Sequence, residues 1–128
     1  MKTEKFDTKA SLVIIPVTVK VDGNIREFKF AVDTGATVTL VSDDAIRMMG
    51  YSKSDSIGTT RTITASKSET VYEYSLNNIM SLGLIRRNFK VISRALPIGL
   101  GIDGLLGLNF FKHTELTIDF KLAEIRIR

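Results

Sequence analysis

The residues best placed to do chemistry lie in FKFAVDTGATVTLVS, Phe28 to Ser42. Phe28, Phe30, Ala31 and Val32 lead into one acid, Asp33; Thr34, Gly35 and Ala36 follow, and then the chain returns to β-branched residues. A carboxylate ending an apolar strand is costly to bury ionised and alone. It either turns back to water or is held half-buried for general acid–base work. For the second use the neighbours are suited: the Thr34 hydroxyl can anchor the loop, Gly35 lets backbone N–H groups approach the carboxylate, and Ala36 leaves room beside it. Asp-x-Gly is also ordinary turn chemistry, and taken alone the tripeptide reads more simply that way.

Other chemistries are narrowed by what the chain lacks. It has no cysteine, which excludes a thiol nucleophile, a disulfide framework and thiolate metal sites. Its one histidine, His113, cannot build a histidine-rich centre, so neither metal nor cofactor is expected. GLGIDG (Gly99–Gly104) satisfies G-x-G-x-x-G, but Pro97 stands just upstream and only 24 residues follow, too few for the second βα unit of a dinucleotide site. It reads as a turn, with Asp103 a turn residue. The net charge is +4, yet the 18 basic residues are scattered, with Arg86-Arg87 and Arg126/Arg128 the densest groups. No nucleic-acid motif accompanies them, so a solvated basic surface is expected rather than a nucleic-acid partner. The opening MKTEKFDTKAS has no apolar core of a leader, and Leu12–Val19 is too short to span a bilayer and is interrupted by Pro16 and Thr18. No membrane contact is expected from this chain, and read literally it is cytoplasmic, as a fragment of a membrane-anchored parent would also read.

The elements that must position Asp33 are mostly short strands. With 128 residues, 44% of them apolar, the chain is one domain, 1–128. Ser11–Val21 alternates as a strand, Asp22-Gly23-Asn24 supplies a tight turn, and Ile25–Val32 returns toward Asp33. Val38–Val41 is a further short strand, and Ser42-Asp43-Asp44 opens a helical turn that Gly50 closes. Thr59–Ser75 reads as a polar hairpin, with Ala65-Ser66-Lys67-Ser68 between its arms. Leu76–Leu84 and Asn88–Ile92 are expected as short strands, Leu105–His113 as a short apolar helix, and ELTIDF with AEIRIR as a closing hairpin. The pattern predicts an all-β, barrel-like domain.

In these surroundings the Asp33 stretch gains a second reading. PVTVKVDGNIREFKFAVDTGATVTLVS resembles the opening of the retropepsin-like aspartic proteases, the family of the retroviral proteases. A second family signature, two apolar residues and a glycine opening a short helix, is matched by Leu105-Leu106-Gly107 followed by LNFF. The closing ELTIDFKLAEIRIR is similar to the family's terminal strands, so the resemblance runs from about Leu12 to Ile127.

The resemblance implies a small closed β-barrel of the acid-protease type with one or two short helices, acting on a polypeptide substrate. One chain would supply half the active site. Aspartic proteolysis uses two carboxylates sharing one proton, and this chain has a single Asp-Thr-Gly. A two-fold homodimer is the simplest way to set Asp33 beside its own copy. Asp33 would be catalytic, Thr34 a clamp between the paired loops, Gly35 a backbone contact to substrate and Ala36 part of the same support. Ile63, Thr64, Ala65, Ser66, Lys67 and Ser68 would form the flap. The chain departs from the retroviral pattern in having no glycine at that tip. It also carries Thr37-Val38 and Leu108-Asn109 where those enzymes carry an interfacial ion pair. A weaker dimer is therefore expected, held through Leu12–Ile15 and Ala123–Ile127, with Ile125 and Ile127 pairing across the axis. The alternative reading is the same fold as a non-catalytic peptide-binding or dimerisation module.

Overall fold

The computed structural model describes residues 2–63 and 66–128. Strand β2 (Ile14–Val21) buries Ile15, Val17 and Val19 and turns Pro16, Thr18 and Lys20 outward, the period-two pattern of a half-buried strand. Asp22 and Gly23, with φ of 44° and 82°, make the two-residue turn into β3 (Asn24–Val32), which pairs antiparallel with β2 along its whole length. After the Asp33 loop come β4 (Thr39–Ser42) and helix α1 (Asp43–Met48). The helix begins where the sequence predicts: the Ser42 hydroxyl accepts the Ala45 N–H at 3.0 Å, and Asp43 and Asp44 occupy the first turn.

A hairpin follows, β5 (Gly58–Ile63) against β6 (Ser68–Ser81), and β6 turns directly into β7 (Leu84–Arg94). Two expected strands are therefore one. The sequence pattern put a break near Ser75 and carried a strand through Leu84, whereas β6 runs unbroken for 14 residues and the turn falls at Leu82-Gly83, both at positive φ. A leucine in the left-handed region costs roughly 1–2 kcal/mol. Leu82 is buried, and burying a leucine side chain contributes about 1.5–3 kcal/mol, enough to offset the strain.

The chain then reaches β8 (Gly104–Leu106), helix α2 (Leu108–Phe111), β9 (Leu116–Asp119) and β10 (Glu124–Ile127). The barrel order is β2-β3-β8-β4-β7-β6, and β6 closes on β2 through Thr18↔Met80 and Val19↔Ile79. This is the closed, nearly all-β barrel that the sequence implies. Phe30, Leu76, Val91, Leu106 and Phe110 fill its interior. No helix among the described residues is long and apolar enough to cross a membrane.

The terminal strands overturn one expectation. Lys2–Lys5 form a further strand, β1, and the second sheet runs β1-β10-β9. Strand β10 is thus the middle of a sheet within one chain rather than an edge free to pair with a partner. Ile125 and Ile127, expected at an interface, are buried in this chain's own core. The charged sequence KTEK hid the strand that covers them.

Candidate active site

The end of β3 and the start of α2 are brought together by parallel pairing of β3 with β8, Phe30 opposite Gly104 and Val32 opposite Leu106. Gly104 permits the approach, since an added Cβ would stand 2.4 Å from the Leu40 carbonyl oxygen and 2.5 Å from the Phe30 ring. Asp33 continues the pairing for one bond, its N–H donating to the Leu106 carbonyl at 3.0 Å. The two motifs singled out in the sequence, Asp33–Ala36 and Leu105-Leu106-Gly107, therefore meet.

A set of hydrogen bonds fixes the loop between them. The Leu108 N–H donates to the Ala36 carbonyl at 2.8 Å, and the Gly107 N–H donates to Thr39 Oγ1 at 3.0 Å. The Thr39 hydroxyl and its own N–H both donate to Asn109 Oδ1, at 2.8 and 2.9 Å. Asn109 Nδ2 in turn donates to the Lys90 carbonyl at 2.8 Å, tying the assembly to β7. Thr39 is fully buried and satisfied. Neither Thr39 nor Asn109 stood out in the sequence as a site residue; the available signal was a threonine inside the apolar run Val38–Val41.

Asp33 itself is half-buried. Its Oδ1 accepts the Gly35 N–H at 2.9 Å, and its carbonyl accepts the Ala36 N–H at 3.2 Å. An added Cβ on Gly35 would press against Oδ1 at 3.2 Å. Among the described residues no basic side chain pairs with Asp33, and Oδ2 takes no hydrogen bond. One oxygen is positioned and the other is available.

The carboxylate borders an open groove of about 520 Å³. Gly35, Ala36, Leu40 and Leu105 line it from the Asp33 loop, β4 and β8, and Thr60, Arg61, Thr62, Glu73, Lys90, Ile92 and Arg94 line it from β5, β6 and β7. Strand β6 pairs with β7 only from Tyr72 onward. Beyond that point, among the described residues, β5 and the first residues of β6 are paired as strands only with each other, forming an arm whose Thr60, Arg61 and Thr62 line the groove. Of the expected flap residues, Ile63, Ser66, Lys67 and Ser68 are exposed on this arm, Ile63 at 83%; Thr64 and Ala65 lie outside the described residues. Thr34 is exposed beside Asp33.

The glycine-rich GLGIDG loop runs into strand β8 rather than a helix, so it lacks the setting of a dinucleotide site. Asp103 acts there as a structural tie. Its N–H donates to the Lys29 carbonyl at 2.7 Å, its Oδ2 accepts the Lys29 N–H at 2.9 Å, and its carbonyl accepts the Ser42 N–H at 2.8 Å.

With this geometry in view, the comparisons with known proteins are specific. The model of one family, described as aspartyl protease, matches residues 17–110. Among solved structures, a retropepsin-like aspartic protease from Rickettsia conorii superposes with a TM-score of 0.72 at 19% sequence identity, covering 98% of this chain and 89% of that chain. At such an identity the likeness establishes a shared fold. No curated protein matches the sequence significantly.

Proposed function

The chain belongs to the aspartyl protease family, and from that premise we propose that it is an aspartic endopeptidase, active as a homodimer through paired Asp33 carboxylates. The observation that carries the reading is the state of Asp33: half-buried at a groove, one oxygen held by the Gly35 N–H, the other open, and no cation paired with it among the described residues. A carboxylate serving only as a turn residue has no need of a groove of this size. One chain contributes one such acid, and the exposed Thr34 and Gly35 leave a surface beside it for a second copy.

In the dimer the two carboxylates share one proton. The ionised one takes a proton from water as that water's oxygen bonds to the peptide carbonyl carbon, and the protonated one donates to the carbonyl oxygen. Collapse of the tetrahedral intermediate breaks the C–N bond: the amine leaves with the proton of one carboxyl, and a hydroxyl of the intermediate returns its proton to the other carboxylate, so the pair again holds one proton. The arm formed by β5 and β6 would cover an extended peptide laid in the groove.

Asp33→Asn tests the chemistry, since it keeps shape and removes the ionisable group. Cleavage of an unstructured protein such as denatured casein is expected to fall to background, with circular dichroism and melting unchanged. An Asn variant that cuts as fast as the parent would overturn the proposal.

A further inference from the structure

We propose that Arg94 selects peptides carrying an acidic side chain; the inference rests on the peptide-binding role just assigned to the groove. Arg94 closes strand β7 and lines the groove that Asp33 borders. Its Nη1 contacts Glu69 Oε1 at 3.2 Å, long for a charge-assisted bond, which ordinarily lies at 2.7–2.9 Å. Its Nε is shielded from solvent and has no acceptor among the described residues. The side chain is 36% exposed and Nη2 has no acceptor among the described residues, so the outer end of the guanidinium, Nη2 with Nη1, is what a ligand can reach. That end is a planar fork that can take a carboxylate with two parallel N–H···O bonds once Nη1 turns from its long contact with Glu69.

The local charge agrees. Glu69 is shared between Arg94 and Lys67, whose Nζ lies 3.7 Å from it, so two cations stand on one anion. The neighbouring Lys90 and Glu73 balance each other at 3.4 Å. With Arg61, which also lines the groove and donates to Ser68 Oγ, this wall keeps two positive charges in excess. Thr62 lies directly across from Glu69 in the β5–β6 pairing, and its buried hydroxyl also lacks a partner among the described residues, a second group able to bond to the same peptide. Because the homodimer would repeat the wall by symmetry, the preference is expected on both sides of the cleaved bond.

The test separates this inference from the protease reading by measuring binding to the Asp33→Asn chain. A set of fluorescein-labelled decapeptides, with glutamate or glutamine placed at each position in turn, is titrated by anisotropy. At one position or a symmetry-related pair, glutamate is expected to bind about tenfold more tightly than glutamine. Arg94→Gln should erase that ratio, and Arg94→Lys, which keeps the charge without the fork, should leave only part of it. Glu69→Gln supplies the decisive contrast, because it frees Nη1 and should raise the preference. If Arg94 serves only to anchor the arm to Glu69, Glu69→Gln and Arg94→Gln will act alike. That result, or equal binding of the two peptides, overturns the inference. A glutamate preference in Asp33→Asn together with a parent chain that cleaves nothing would sustain it while defeating the protease reading.

Discussion

At Gly107 the space beside the backbone admits only a hydrogen atom. A Cβ there would lie 2.7 Å from the Ala36 carbonyl oxygen and 2.9 Å from the Val38 carbonyl carbon, in the loop that holds Asp33. Gly107→Ala is expected to push that loop aside, costing about 1–3 kcal/mol of stability. Cleavage should fall about a hundredfold, as a misplacement near 1 Å can cause. Urea midpoints and kcat/KM measured side by side will check both, and a variant with parental activity would mean that Gly107 does not position the acid. Asn109→Ala should act through Thr39 instead, leaving a buried N–H and hydroxyl without their acceptor. A loss of about 1–3 kcal/mol is expected, read from the same urea midpoints. The contrast between these residues also shows what the sequence could reveal. Asp33 and Leu105-Leu106-Gly107 were legible because their types and order are unusual together. Thr39 and Asn109 were not, since a threonine in a strand and an asparagine in a helical turn look generic until folding joins them.

Among the elements, the terminal sheet has its own electrostatics. Arg126 Nη1 contacts Glu124 at 2.7 Å and Asp119 at 3.3 Å, and Lys5 reaches Glu124 at 3.1 Å, so the charges tie β9, β10 and β1 together. The Leu122 N–H on its carboxylate, with Arg126 assisting, holds Asp119 below the usual carboxylate range. Lys5 chiefly, and then Arg126, do the same for Glu124. The folded chain therefore binds fewer protons at these sites than the unfolded one. The stability they add is complete above the ordinary carboxylate value of about 4 and is lost as pH falls through the lowered folded values. Urea midpoints are expected to fall below pH 4, and Arg126→Gln should flatten that fall. An acid limb as steep in Arg126→Gln as in the parent would assign the loss to other carboxylates. Legibility was uneven at this scale too. The Asp22-Gly23 turn announces itself by residue type. Leu82-Gly83 does not, because burial of Leu82 rather than its backbone preference places it there. Strand β1 has no apolar alternation at all; it exists because β10 offers it an edge.

For the molecule as a whole, the proposed pairing of Asp33 with its copy would make activity a property of concentration. If the homodimer is the active form, specific activity should drop on dilution, and Asp33→Asn chains should suppress the parent by forming mixed dimers. Sedimentation and rate measurements at matched concentrations will test this; a monomer of constant specific activity over a hundredfold dilution would defeat the shared site. The barrel was legible from strand number and spacing. The contact surface was not, since whether β10 is an edge depends on pairing with residues at the far end of the chain. That same long-range character governs how the molecule comes into being. The Asp33 loop is held by Leu106, Gly107, Leu108 and Asn109, and the Thr39–Asn109 bonds join residues 70 apart in sequence. Parallel pairing over such separations is slow, because loop closure must precede any return from contacts. A ribosome exposes Asp33 long before it exposes Asn109. The nascent chain therefore carries its acid without the frame that orients it, and that frame can close only after Asn109 has emerged.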